Sequence, residues 1–158
     1  MNDPQHTISF VIDSREQLPF CFDSDDIEII HKALPTGDYS LLNVEEIVAV
    51  ERKNLEDFIH SLTKTRKRFL SEIRRLSKMP FKCIVIEGSL ADVIGHRYRS
   101  GADPASILGS TLSIIVDYGV PVFFCCDRQI ALAFTEKYLR RVHRKITCEN
   151  SKAEKEDS

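Results

Sequence analysis

The sequence predicts one α/β domain in which a mixed central sheet is flanked by helices. The chain has 158 residues, of which 42% are hydrophobic and 29% charged, as expected for one globular domain with its own core. Short β-rich segments fill the first third of the chain, and strands alternate with helices in the second half. This alternation implies parallel strands that are covered by helices.

The first part of the chain predicts an antiparallel meander. The predicted strands cover residues 9–12, 27–33, 39–42 and 47–52. Pro35, Thr36 and Gly37 mark a turn before the third strand, and the segment 43–46 joins the third strand to the fourth.

Helical spacing begins after the fourth strand. Asn54 fits a helix N-cap, and apolar residues recur at helical intervals from Leu55 to Leu76. The later predicted elements are a strand at 82–87, a short helix at 89–94, a helix at 104–118, a strand at 120–125 and a helix from 127 to about 145. We expect a folded domain over residues 1–148 and a disordered polar tail over 149–158.

Composition excludes several classes of protein. No apolar run approaches the length of a membrane span, and the N-terminus lacks the features of a secretory signal, so a cytoplasmic location is the default. Five cysteines without a CxxC spacing argue against a disulfide framework and a zinc site. The net charge of −2 gives no global sign of nucleic-acid binding, so clustering of the cations matters instead.

The most informative segment is the fourth strand, because its apolar run ends in charged residues. Glu51 and Lys53 are two residues apart and therefore share one face of a strand, while Arg52 points to the other. Taken alone, such a pair is usually a solvated ion pair. Here Glu51 follows a run that is typical of a buried strand, and a buried charge needs a partner or a metal ion.

Asp38 supplies a second carboxylate on a neighbouring extended segment. An aspartate between Gly37 and Tyr39 is often only a turn residue, but two carboxylates and a lysine that converge would suit Mg²⁺ or Mn²⁺. Asp13 is either a strand-end cap or a third acid near the metal. Asp57 is either a helix-capping residue or part of the site.

The long helical segment contains an anomaly at Arg66, which falls on the apolar stripe if the helix is continuous. Either the helix breaks at residues 63–65 or Arg66 reaches into the site. The densest basic cluster of the chain surrounds it, and we predict that this cluster binds phosphate groups, although a solvated helix face is the alternative. Its members are Lys64, Arg66, Lys67, Arg68, Arg74 and Arg75.

These motifs, taken in order, resemble the XPF-type nuclease domain of the PD-(D/E)xK, restriction-endonuclease-like family. The segments that carry the resemblance over residues 8–145 are 11–16, Gly37-Asp38-Tyr39, 50–58, Ser61-Leu62, Arg66 and Arg68-Phe69. The spacing from Arg66 to Phe69 is similar to that of stand-alone prokaryotic or viral members. The resemblance implies a restriction-endonuclease-like mixed sheet.

The resemblance also implies the site residues. Metal ligands would be Asp13, Asp38 and Glu51. The catalytic set would be Asp38, Glu51, Lys53, Arg52, Asp57, Arg15 and Arg66.

The function implied is that of a divalent-metal-dependent endodeoxyribonuclease, using Mg²⁺ or Mn²⁺ on flap, fork or junction DNA in DNA repair or recombination. It would act in a prokaryotic cytoplasm near the nucleoid, or in a host cell if viral. A homodimer or a protein partner would direct it to its substrate; Ile130, Phe134, Tyr138 and Val142 are candidate dimer contacts, unless they pack on the sheet. The alternatives are a non-catalytic DNA-binding or dimerisation subunit of the same fold, and an unrelated α/β ligand-binding domain, for which no glycine-rich phosphate loop is present.

Overall fold

A computed structural model describes residues 7–156 and contains one six-stranded mixed sheet with helices on both faces. The strands are β1 Ile8–Asp13, β2 Ile27–Lys32, β3 Tyr39–Leu41, β4 Val48–Asn54, β5 Phe81–Glu87 and β6 Val122–Phe124. The helices are α1 Leu55–Thr63, α2 Arg66–Ser77, α3 Leu90–Ile94, α4 Pro104–Val116 and α5 Arg128–Glu156. The predicted α/β class with a mixed, helix-flanked sheet is confirmed.

The strand order is β2-β1-β3-β4-β5-β6, and β3 alone runs against the others. The predicted meander is therefore wrong at β2, which pairs with β1 in parallel, while β3 adds to the opposite side of β1. A parallel pair needs a long crossover. Residues 14–26 provide it without a helix, because Phe20 and Phe22 anchor the segment against Phe10 and Tyr39.

The two faces of the sheet carry separate cores. Alternation along β4 directs Ala49 toward the core under α1, α2 and α4, and Val48 and Val50 toward the core under α5. All three side chains are fully buried. Because this alternation continues past Val50, Glu51 and Lys53 emerge on the α1–α2 side and Arg52 on the α5 side.

The helical segment after β4 breaks, which resolves the alternative posed by Arg66. Thr63 ends α1 with its Oγ1 donating to the Ile59 carbonyl at 2.8 Å, and Thr65 leaves helical geometry with φ −116° and ψ 31°. A hydroxyl that bonds the preceding turn weakens or bends a helix. The chain restarts as α2 at Arg66, so that Phe69, Ile73 and Leu76 still face the core.

Helix α5 is longer than the sequence predicted. It runs to Glu156, whereas we expected a disordered tail from residue 149; residues 157 and 158 lie outside the described part. Lys145 Nζ lies 3.6 Å from Glu149 Oε1, an i,i+4 pair that favours helix across the predicted boundary. No helix within residues 7–156 is long and apolar enough to cross a membrane.

Candidate active site

The charged end of β4 opens into a cleft between the turn at Gly37 and helices α1 and α2. We call it the acidic cleft, and it is centred on Asp38, Glu51, Lys53 and Glu72. Two adjoining cavities of about 680 and 640 Å³ form it and share these four residues. The cleft thus brings together six of the predicted catalytic residues and Glu72, an acid that the sequence analysis missed. The six are Arg15, Asp38, Glu51, Arg52, Lys53 and Asp57.

Strand geometry positions Glu51 and Lys53 as predicted. Both project from the same face of β4, and Lys53 Nζ lies 3.5 Å from Glu51 Oε1. Each side chain is only 15% exposed. The pair is therefore an ion pair at the floor of a cleft rather than a solvated surface pair.

Asp38 is held beside Glu51 by the backbone of β4. Gly37 turns the chain with φ +79°, and the Asp38 amide then donates to the Val50 carbonyl at 2.8 Å. In return, the Arg52 amide donates to Asp38 Oδ2 at 2.7 Å. The other carboxylate oxygen, Oδ1, receives no hydrogen bond from residues 7–156 and remains free to bind a ligand.

Burial and nearby negative charge disfavour the charged forms of Asp38 and Glu51. Burial raises the pKa of Asp38, and the negative charge of Glu16 adds to that rise. Burial also raises the pKa of Glu51, with further contributions from the charges of Asp38 and Glu72. The Lys53 ammonium offsets only part of these effects. A site with this excess of desolvated carboxylate oxygen is suited to a hard divalent cation.

The fit to such a cation rests on Asp38 and Glu51. Within the described residues, no three acidic, histidine or cysteine side chains converge closely enough to bind a metal ion by themselves. Waters and substrate phosphate oxygens would complete the coordination, as is usual for Mg²⁺. The donor set is therefore compatible with Mg²⁺ or Mn²⁺ but smaller than the predicted three ligands.

Asp13 lies close to this pair but has other partners. Its amide donates to the Asp38 carbonyl at 2.8 Å, and its carboxylate accepts hydrogen bonds from the Arg15 guanidinium and from the Leu34 amide at 3.0 Å. Arg15 also donates to the Leu34 carbonyl at 2.8 Å and lines both cavities. Asp13 thus shapes the turn that carries Asp38, and its role as a metal ligand stays a prediction.

Arg52 occupies the opposite face of β4 and organises a buried ion-pair network. Its guanidinium donates to Glu16 Oε1 and to Glu87 Oε1, each at 2.9 Å. Arg128, the first residue of α5, also donates to Glu87 Oε1 at 3.1 Å. The Phe20 ring lies 5.7 Å from the Arg52 guanidinium and 5.0 Å from that of Arg128. The network of Arg52 therefore lies behind Asp38 and Glu51, and the supporting role that the resemblance implies for Arg52 stays a prediction.

Asp57 and Arg66 differ in their relation to the cleft. Asp57 is exposed in the first turn of α1, where its amide is capped by Asn54 Oδ1 at 2.8 Å, and it lines the cleft. Arg66 donates to Ser110 Oγ at 3.0 Å and lines neither cavity, so the structure does not bring it to the other predicted residues, and its catalytic role stays a prediction. The break between α1 and α2 is the reason, because it turns Arg66 toward α4.

The basic cluster lies on the exposed faces of the α1–α2 junction and α2. A shallow surface next to the acidic cleft includes Lys64, Lys67, Arg68 and Arg74, and Arg75 lines the cleft itself. All five are exposed. This arrangement suits contacts to a phosphate backbone that enters the cleft.

Sequence reasoning missed Glu16, Glu72, Glu87 and Arg128. Two of these residues had a usable signal. Glu72 lies three residues after Phe69 and four before Leu76, next to the apolar stripe of α2. Glu87 ends a buried strand, and the same argument that identified Glu51 would have identified it. The position of Glu16 and Arg128 depends on the packing of residues 14–26, which no local pattern predicts.

Comparisons with known proteins give the family and the fold. The sequence profile of the ERCC4 domain family matches residues 12–138. A Methanocaldococcus jannaschii protein named "Putative ATP-dependent RNA helicase MJ1505" is 31% identical over 121 residues, which are 77% of this chain and 14% of that protein. The chain thus spans a small part of the length of that relative.

Two solved structures share the fold. XPF from Aeropyrum pernix aligns with a TM-score of 0.66 at 24% identity, and the alignment covers 90% of this chain and 69% of the XPF chain. The same protein in complex with DNA has a TM-score of 0.67 at 25% identity, over 87% of this chain and 66% of its own.

Proposed function

The chain belongs to the ERCC4 domain family, which confirms the resemblance to XPF-type nucleases, and we propose that it is a divalent-metal-dependent endonuclease that hydrolyses phosphodiester bonds in DNA. The observation that carries this proposal is the convergence of Asp38, Glu51 and Lys53 in one cleft. A structural scaffold gains nothing from two neighbouring carboxylates whose pKa values are raised by burial and by nearby negative charge. Perturbed carboxylates in a cleft are typical of functional sites.

Each residue has a role in this proposal. Asp38 Oδ1 and the Glu51 carboxylate would bind Mg²⁺ or Mn²⁺, which lowers the pKa of a coordinated water and stabilises negative charge on phosphate oxygens. Lys53, 3.5 Å from Glu51, would orient the attacking water and stabilise charge that develops on the phosphate. Arg52 would hold Asp38 through its amide hydrogen bond. Asp57 and Arg15, at the rim, would contact the substrate or its water shell.

DNA is the proposed substrate because two independent observations favour it. The structural neighbour bound to DNA shares this fold, and the exposed basic cluster lies directly beside the acidic cleft. We propose a preference for branched DNA such as flaps, forks or junctions, and a role in repair or recombination, by analogy with the family. Such a substrate would place the protein in a prokaryotic cytoplasm near the nucleoid, or in a host cell if it is viral.

A homodimer or a protein partner would use the apolar surface around α4 and β6. Leu112, Ile115, Val116 and Phe123 are exposed there, and Phe123 belongs to an edge strand. Of the α5 residues proposed as dimer contacts, Ile130 is 49% exposed, whereas Val142 is 4% exposed and packs on the chain's own sheet. Phe134 and Tyr138 also pack there. The dimer proposal therefore shifts from α5 to α4 and β6.

Cleavage assays test the central proposal. Labelled flap, fork, junction, duplex and RNA substrates are incubated with Mg²⁺, with Mn²⁺ and with EDTA. We expect cleavage of branched DNA that EDTA abolishes and that Glu51→Gln and Lys53→Met each reduce by at least about 100-fold, since both act at the reacting centre. Glu28→Gln removes a carboxylate from β2, outside the cleft, and serves as the matched control.

Failure of this assay has a defined meaning. Full activity of Glu51→Gln or Lys53→Met contradicts the proposed mechanism. Retention of DNA binding without any cleavage by the wild type favours the non-catalytic DNA-binding subunit instead.

The DNA-binding surface has its own test. Arg74→Glu combined with Arg75→Glu should weaken binding and flatten the dependence of log affinity on log salt, because fewer counterions are released. Lys137→Glu combined with Arg141→Glu reverses the same charge on α5, across the sheet, and should leave the slope unchanged. Equal slopes in the first variant and the wild type would exclude the α2 surface.

A further inference from the structure

We propose that Glu72 is a positioning residue that holds the Lys53 ammonium in place while Glu51 is engaged by the catalytic cation. This inference rests on the proposed function, since it concerns the same cleft. It adds a residue that neither the motifs of the chain nor its family membership assign to the site.

Three groups surround the Lys53 ammonium. Its Nζ lies 3.5 Å from Glu51 Oε1, 4.0 Å from Glu72 Oε2 and 4.9 Å from the centroid of the Phe69 ring. Two carboxylates and an aromatic face all attract a cation at these distances. The lysine side chain is only 15% exposed, so this enclosure, rather than solvent, determines where the ammonium lies.

Helix α2 presents Phe69 and Glu72 to Lys53 together. The two residues are three apart and therefore occupy one face of the helix. Phe69 is 2% exposed and packs edge-to-face on Phe58 with centroids 6.1 Å apart, which fixes the rotation of the helix. The Glu72 side chain follows from that rotation and points to the strand bearing Lys53.

The two oxygens of Glu72 have different partners. Arg68 Nε lies 3.6 Å from Oε1, and Lys53 Nζ lies 4.0 Å from Oε2. Arg68 is 84% exposed and would be drawn to DNA phosphate, whereas Lys53 remains within the cleft. Glu72 thus retains one oxygen for Lys53 whether or not Arg68 leaves.

The need for Glu72 arises when the cation binds. Glu51 cannot neutralise Lys53 fully while its carboxylate also binds a divalent cation, because both compete for the same oxygens. Lysine has four rotatable bonds and would then leave the cleft for water. Glu72 is the remaining counter-charge on the opposite wall, and it keeps the ammonium next to the reacting phosphate.

The first test measures the lysine itself and needs no cleavage. NMR order parameters of the Lys53 side-chain ammonium are compared in the wild type, Glu51→Gln, Glu72→Gln and the double variant, without metal. Glu51→Gln removes the charge that a bound cation would neutralise. We expect Lys53 to remain ordered in each single variant and to become mobile in the double variant.

Two outcomes overturn the proposal. Mobility of Lys53 in Glu51→Gln alone means that Glu72 does not hold it. Order of Lys53 in the double variant means that neither acid is needed. Urea unfolding midpoints of all four proteins identify any variant that is not folded. Glu72→Ala, which also removes the charge, replaces Glu72→Gln in that event, with the same expected loss of order on its combination with Glu51→Gln.

The second test measures catalysis in the full chain. Single-turnover cleavage by Glu72→Gln should be about 10- to 100-fold slower, the usual effect of removing a residue that orients a site. The Mg²⁺ concentration at half-maximal rate should be unchanged. Glu149→Gln removes an acid from another i,i+4 pair, Lys145–Glu149, and should cleave at the wild-type rate.

The readouts separate the possible failures. A tenfold increase in the Mg²⁺ requirement of Glu72→Gln makes Glu72 a metal ligand and overturns the positioning role. A wild type that does not cleave contradicts the nuclease proposal, while the order parameters still decide whether Glu72 holds Lys53.

Discussion

The turn at Gly37 makes a quantitative prediction, because it positions Asp38 and accommodates a side chain only if its neighbours move. Gly37 has φ +79°, and a Cβ built there would lie 3.1 Å from both Ala49 Cβ and the Val50 carbonyl oxygen. Gly119 also has a positive φ, +64°, but a Cβ there meets nothing within 4 Å. Comparing alanine at the two positions therefore separates backbone strain from crowding.

The magnitudes follow from these two terms. An L-residue in the left-handed region costs about 1–2 kcal/mol, which is the whole expected effect of Gly119→Ala. Crowding a packed position adds about 1–3 kcal/mol, so Gly37→Ala should lose about 2–5 kcal/mol. Urea unfolding at pH 7 measures both free energies, and Gly101→Ala, with open space and no positive φ, is the neutral control.

The substitution of Gly37 should also slow cleavage. Relief of the crowding at Gly37 must displace the turn or β4, and the hydrogen bond from the Asp38 amide to the Val50 carbonyl lies between them. A displacement of about 1 Å at a catalytic group costs about 100-fold in rate. We therefore expect folded Gly37→Ala protein to cleave about 100-fold more slowly, and Gly119→Ala protein to cleave normally. Equal free energies of unfolding for the two variants, with normal cleavage by Gly37→Ala, would refute the reasoning.

Further predictions concern the ion pairs and their response to pH. Arg52→Met leaves Glu16 buried without its guanidinium partner and Glu87 with Arg128 alone, and urea unfolding should show a loss of about 3–5 kcal/mol. Burial raises the pKa of Glu16, but hydrogen bonds from Arg52 and the Leu18 amide lower it by more, so the net pKa is lowered in the folded protein. The ionised Glu16 carboxylate therefore stabilises the fold above the unfolded pKa of about 4.3, and this stabilisation is lost as the pH falls through the folded pKa. The acid side of the stability curve should be flatter for Glu16→Gln than for the wild type. Burial raises the pKa of Glu51, so the Glu51 charge opposes folding above the pKa that glutamate has in the unfolded chain. Glu51→Gln should therefore unfold at a higher temperature than the wild type at pH 8. This increase in unfolding temperature should shrink toward pH 4.5. No gain at pH 8 would argue against a destabilising charge.

Local periodicity predicted correctly which side chains of β4 share a face of the strand. A period of two along β4 put Glu51 and Lys53 on one face and Arg52 on the other, and the structure agrees because burial fixes the register of that strand. Because Arg66 is charged and yet falls on the apolar stripe, the sequence left two alternatives, and a break in the helix was one of them. The helix does break in the structure, since Thr63 and Thr65 have a low propensity for the interior of a helix.

Long-range packing determined what the sequence did not predict. β2 pairs in parallel with β1 because aromatic anchors hold residues 14–26 across the sheet, and the strand pattern alone is the same for either direction. Glu16 reaches Arg52 only through that crossover. Glu72 lies on an element whose rotation depends on Phe69, so its distance to Lys53 cannot be read from helical spacing alone.

The two faces of β4 have opposite energetic roles, and one peptide group connects them. On the α1–α2 face, burial raises the pKa values of Asp38 and Glu51, so the charged acids oppose folding. On the α5 face, Arg52 satisfies Glu16 and Glu87, and Arg128 and Phe20 enclose it. The Arg52 amide donates to Asp38 while its side chain is fixed by this network. Because a rigid side chain restrains its own backbone, the network behind the sheet holds the carboxylate in front of it, and substitutions at Arg52 should impair catalysis even where the fold survives.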